Sequence, residues 1–162
     1  MSMKYILIVL PLLVMRGADK DFIKRASEAN MAAIEASQLE TEKGASAELK
    51  AFADSMVIDH GIAQKELIEL AKKESVSLSR SPDEEHGKMI ERLSRLTGRG
   101  MDSAYLRMQL MDHQAAVWLF QEEASSGKDE QAKEYAGKYL PKLSHHLVMV
   151  KGLAKVLRRV GK

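Results

Sequence analysis

Three histidines stand at matching places on the apolar faces of three predicted helices: His60, His113 and His146. Two of them close an apolar run with Asp-His, in Met56 to His60 (MVIDH) and Gln109 to His113 (QLMDH). Imidazoles projecting from separate helices toward one bundle interior are how helical proteins build metal sites. The carboxylates on offer are Glu28 and Glu35, seven apart and so on one face of a first helix. Met56 stands one turn before His60, and Met149 lies three residues after His146. Thioether with imidazole is a soft set suited to Cu(I), and the histidines also suit iron or zinc. A transition metal (copper, iron or zinc) is therefore the implied cofactor, its identity left open by the residues. The competing reading is packing alone. Methionines at helical spacing in a core with few aromatics fill gaps, and a histidine on an apolar stripe is commonly bonded to a nearby acceptor. On that reading Asp59 pairs with His113, Asp112 pairs with His60, and the pairs fix helix register.

Enzymatic chemistry finds less support. Di-iron bundles draw Glu-x-x-His pairs from two helices, but Val57, Leu110 and Leu143 stand three before the histidines. No nucleophile, phosphate loop or cofactor fingerprint is present. With no Cys among 162 residues, disulfides, thiolate zinc sites and iron–sulfur clusters are excluded. Removing residues 1–18 takes away Lys4 and Arg16, leaving 23 basic against 23 acidic residues. A neutral body gives no electrostatic case for nucleic acid.

Residues 1–18 resemble an export signal. Lys4 supplies a positive start, and Tyr5 to Met15 form an apolar run, interrupted only by Pro11, that is too short to span a bilayer. Arg16 departs from the small residue that cleavage after Ala18 would want, so an uncleaved membrane tether is the alternative. The expected location is periplasmic, with residues 19–162 as one domain. The basic C-terminus (Lys151, Lys155, Arg158, Arg159, Lys162) complements a helix dipole and suits peripheral contact with an anionic lipid surface. A homo-oligomer is left open.

Helical punctuation runs along that domain. Asp19 is placed to cap a first helix ending near Gly44, and Ser46 to cap a second. Residues 75–82 read as a turn, followed by a short helix capped by Ser81 and stopping at Gly98. A long helix is predicted from about Asp102 to Ser126, and another from Asp129 toward Val160, kinked at Pro141. His86, in the crossover, is expected to be exposed. Two hairpins joined by a long crossover containing a short helix make an all-α, ferritin-like four-helix bundle. Residues 32–53 also align without gaps with 115–136, as if each hairpin copied the other.

Helix rise then places the histidines. His60 follows Ser46, and His113 precedes Gly127, by the same length of chain, roughly 21 Å of helix in each case. With both turns expected at the same end of the bundle, the rings share a layer with His146. Glu35, nine residues from Gly44, should lie nearer the turns, making Glu28 its rival by depth.

The chain from Asp21 to Leu157 resembles the bacterial domain-of-unknown-function family 4142, a ferritin-like group of exported proteins. The matching segments include Asp21 to Met31 (DFIKRASEANM), Lys50 to His60 (KAFADSMVIDH), Leu96 to Leu106 (LTGRGMDSAYL), Met111 to His113 (MDH) and Leu140 to Met149 (LPKLSHHLVM). The resemblance implies a periplasmic or envelope location and a ferritin-like bundle, and little about activity. It marks Glu35, His60, His113 and His146 as fitting the family pattern, with His145 at a variable place beside it. The leading function is metal binding or envelope stress tolerance, and the alternative is a structural or interaction bundle whose core histidines only specify packing.

Overall fold

The computed structural model describes residues 10–160, with side chains described for residues 17–157. The described residues form five helices and no strand: α1 (Leu10–Lys43), α2 (Ala47–Lys73), α3 (Glu84–Ser94), α4 (Gly98–Ser126) and α5 (Glu130–Val160). The start of the predicted signal segment, with Lys4, lies outside the described residues. Among the described residues, no helix is long and apolar enough to cross a membrane.

Most helix ends follow their sequence signals. The Ser46 hydroxyl accepts from the Leu49 amide at 3.2 Å, capping α2, and Asp129 accepts from Ala132 at 2.8 Å, capping α5. α5 runs through Pro141 without a break. Four boundaries differ from expectation, one of them the end of α3, which stops at Ser94 rather than at Gly98. Asp19 lies inside α1 rather than capping it, because the chain ahead is already helical. Asp83, not Ser81, caps α3 by accepting from Glu85 and His86. α4 begins at Gly98, whose φ of +58° is a conformation that side chains other than glycine's rarely adopt.

α1 packs along α2, and α4 along α5. Between the hairpins α1 is antiparallel to α4, since the Ser37 and Tyr105 hydroxyls bond at 2.8 Å and Gly44 meets Gly98. α2 is antiparallel to α5, zipped by Lys142–Asp59 and Lys138–Glu66 pairs at 2.7 Å. The two hairpin turns consequently lie at opposite ends of the bundle, not at the same end. The crossover must return the chain along the bundle's length, and α3 lies within that return. His60 and His113 still share a level, because each stands near the midpoint of its own helix, α2 or α4.

Two apolar clusters fill the interior on either side of this middle. One gathers Phe22, Leu67, Phe120, Tyr135 and Tyr139, and the other Phe52, Met56, Met101, Tyr105 and Leu106. Burying a side chain of this size contributes about 1.5–3 kcal/mol, so these clusters set the helix positions. The histidine level falls between them.

Candidate metal centre

The three histidine rings form a nearly equilateral triangle. Ring centroids stand 5.6 Å apart for His60–His113, 5.6 Å for His60–His146 and 5.5 Å for His113–His146. All three are buried, at 6 %, 2 % and 3 % exposure. One ring nitrogen from each lies within 4.8 Å of the other two.

Hydrogen bonding fixes how each ring presents itself. His60 Nδ1 lies 2.9 Å from Asn30 Oδ1, while the Asn30 amide nitrogen is directed to Gln64 Oε1 and the Tyr135 hydroxyl. His113 Nδ1 lies 2.9 Å from the Gln109 carbonyl, and His146 Nε2 lies 3.0 Å from Asp59 Oδ2. Every one of these partners is an acceptor, so in each case the ring N–H must face it. The proton goes outward, and the other nitrogen keeps a lone pair. Those remaining nitrogens, His60 Nε2, His113 Nε2 and His146 Nδ1, are buried and have no partner among the described residues.

Electrostatics keep the rings neutral. Burial holds His60 well below the usual histidine range, assisted by the neighbouring His113 and His146. Burial likewise takes His113 down to about 4. His146 is also lowered by burial, against the opposing pull of Asp59. Burial would raise the Asp59 carboxyl, but hydrogen bonds and charge from Lys142 and His146 hold it below the usual carboxylate range. Asp59, Lys142 and Tyr139 edge a half-open cavity of about 10 Å³ beside His60 and His146, room for about one water-sized species.

This donor set fits a metal ion. Neutral imidazoles are ligands, and metal-bound histidines ordinarily give their second N–H to a carboxylate or carbonyl, as His146 and His113 do here. A tetrahedral ion with bonds of about 2.0–2.1 Å holds its ligands roughly 3.3 Å apart. Ring movements on the order of 1 Å would close the triangle.

The other predicted site residues lie elsewhere. Glu35 is exposed and Glu28 half-buried, and neither joins the histidine cluster. Both have the wrong azimuth: α1 turns Asn30 inward instead, two residues on from Glu28 and so on the opposite side of the helix. Met56 is fully buried in the adjoining apolar cluster, and Met149 is 36 % exposed on the outer side of α5. The expected Asp–His pairs are also re-partnered. Asp59 serves His146, and Asp112 faces His86 Nε2 at 3.5 Å. His86 is half-buried rather than exposed, bonded on its other side to Asp83. Hydrogen bonding from Asp112 outweighs burial and, with Asp83, raises it to about 9. Asn30 escapes sequence reasoning because amides are weak metal ligands. Its signal is nevertheless present, since the alignment of 32–53 with 115–136, extended backwards, sets Asn30 against His113.

A family described as "Domain of unknown function (DUF4142)" matches residues 13–153. No curated protein matches the chain. Among solved structures, it is similar to the crystal structure of a DUF305 fragment from Deinococcus radiodurans, with a TM-score of 0.74 and 14 % identity. That likeness covers 88 % of this chain and 96 % of the other, and it concerns the fold.

Proposed function

The chain belongs to the domain-of-unknown-function family DUF4142, and from that premise we propose that it is an exported, ferritin-like bundle binding one transition-metal ion through His60, His113 and His146. The observation that carries this reading is that each of the three clustered rings keeps one buried nitrogen without a partner among the described residues, while one nitrogen of each ring lies within 4.8 Å of the others. Lone pairs so arranged repel one another, and each buried acceptor without a donor costs about 1–3 kcal/mol. A cation would relieve all three at once.

The chemistry favours binding over catalysis. Among the described residues no carboxylate joins the cluster, and a di-iron centre needs carboxylates to bridge its ions. Three neutral nitrogens suit zinc(II), or copper in a trigonal setting. Antiparallel hairpins with turns at opposite ends and a lengthwise crossover support the ferritin-like description. Export rests on the apolar run from Tyr5 to Met15 behind Lys4. An envelope role in holding or buffering metal, with a bearing on stress, follows from the two together.

A packing role has one observation in its favour, that each ring already makes one hydrogen bond. Titration of metal-free protein with zinc and with copper(I), read by calorimetry and elemental analysis, separates the two. Metal binding predicts one ion per chain, with His60→Ala and His113→Ala each weakening it more than tenfold. Absence of binding, or equal binding by a variant lacking all three histidines, would establish the packing role instead.

A further inference from the structure

We infer that the Glu40–Asp102 and Glu123–Asp19 carboxyl pairs are two proton-held clasps that fasten the α1–α2 hairpin to the α4–α5 hairpin, and that they loosen as the pH rises. Both pairs sit on the α1–α4 seam, one at each end. Asp102, 1 % exposed, reaches across to the α1–α2 turn, where its oxygens accept from the Ala45 amide at 2.7 Å and the Ser46 amide at 3.2 Å. Asp19, 4 % exposed, does the same at the α4–α5 turn, accepting from the Lys128 amide at 3.0 Å. These backbone donors require each aspartate to act as an acceptor.

A glutamate is buried against each. Glu40 is wholly buried, and among the described residues neither of its oxygens has an N–H partner. Glu123 is 7 % exposed, and among the described residues its Oε1 and Asp19 Oδ2 also lack one. Each side chain curls back over its own turn, so a Cβ at Gly44 would overlap Glu40 Oε1, and one at Gly127 would overlap Glu123 Oε1. Burial and a neighbouring carboxylate each disfavour the charged form of a carboxyl group, so the two members of such a pair do not readily ionise together. A proton on the glutamate supplies the missing donor and removes the repulsion.

The surroundings do not reverse this. Glu40 faces Asp102 and Tyr105 from α4 and Lys50 from α2, while Lys43 of its own helix is engaged with the Ser94 carbonyl. Glu123 faces Asp19 from α1, with Asp129 and Lys133 from the start of α5. Burial first, then the aspartate, raises Glu40 to about 8 and Glu123 to about 7 despite the lysines. Recurrence makes accident a poor explanation. In the register that aligns 32–53 with 115–136, Asp19 falls on Asp102, Glu40 on Glu123 and Gly44 on Gly127.

The sign follows from the raised glutamates. Their contribution is complete below the ordinary carboxyl range. It declines as the unfolded chain ionises, and is lost once pH passes about 7 for Glu123 and about 8 for Glu40. The test compares urea unfolding of the full chain with that of the Glu40→Gln/Glu123→Gln variant between pH 5 and pH 9. Glutamine keeps a permanent donor, and the histidines, which both proteins share, cancel in the difference. Relative to the variant, the folding equilibrium constant should fall by up to about tenfold per clasp for each pH unit until that clasp has ionised. Parallel curves would overturn the inference. If the variant does not fold, the side-chain carboxyl carbons of Glu40 and Glu123 in the unaltered protein can be titrated by NMR. Midpoints near the ordinary 4.5 would overturn it, and midpoints near 7 and 8 would uphold it.

Discussion

Replacing Asp59 with alanine tests the metal reading without touching a ligand. Asp59 Oδ2 holds His146 Nε2 at 3.0 Å, and Oδ1 takes Lys142 at 2.7 Å. Removing the carboxylate frees the ring to turn and to move its proton to Nδ1, the nitrogen that faces the trio. Loss of such a supporting partner typically weakens metal binding about 10–100-fold, or about 1.4–2.7 kcal/mol. Stability should fall as well. The buried His146 N–H loses its acceptor, which costs about 1–3 kcal/mol, while the half-exposed Lys142 pair adds at most about 1 kcal/mol. At roughly 2–4 °C per kcal/mol for a domain of this size, Tm should drop by roughly 2–16 °C. The assay is chelator competition for zinc and copper(I), with thermal melts taken with and without metal. Metal affinity within twofold of the parent protein would refute the role given to Asp59, whatever happened to the melting temperature.

Three further outcomes are expected. His86→Ala should leave metal affinity unchanged but destabilise the fold below about pH 6.5, where the cationic ring bridges Asp83 and Asp112. Because that ring's pKa is raised to about 9, the difference in urea midpoint should vanish as pH passes 9, and an unchanged midpoint at pH 6 would contradict the bridge. Gly44→Ala and Gly127→Ala, each placing a methyl group against a buried glutamate, should cost about 1–3 kcal/mol by denaturant unfolding, and a neutral result at either would show that the turn has slack. Full-length protein expressed in a Gram-negative host should fractionate with the periplasm, and intact protein in the cytosol would remove the envelope from the functional reading.

Legibility in the sequence varies with the kind of signal. The helices are readable because their apolar residues recur at helical spacing, and the turns because Gly44, Ser46, Gly127 and Asp129 are strong local punctuation. His60, His113 and His146 stand out as polar residues on apolar stripes, and the structure brings their rings together. The direction of the second hairpin is not readable, since it depends on where the crossover delivers the chain, and no local propensity encodes that. The histidines meet regardless, because His60 and His113 each lie near the midpoint of a helix. Glu28 and Glu35 attract attention by chemical type, but azimuth decides access, and α1 presents Asn30 to the interior. The two aspartates at the seam mislead for a different reason. Asp19 looks like a cap for its own helix, yet it accepts from the Lys128 amide at the far turn.

The shared register of the two hairpins bears on how the halves recognise each other. α1 carries Asp19 and then Glu40 along its length, and α4 carries Asp102 and Glu123 in the same order and at the same spacing. Either hairpin thus has both parts of a clasp, and by those carboxyl groups alone nothing distinguishes a second copy of itself from the other half. The inner residues break that equivalence. Where α4 has His113, α1 has Asn30; His60 answers to Leu143, and His146 to Ala63. Two first hairpins would bring two histidines and two asparagines to the middle, and two second hairpins would bring four histidines, with no Asp59 to orient either His146. The covalent crossover therefore does more than shorten a search. It enforces the unlike pairing, the one combination that brings three histidines to the middle with an acceptor for each.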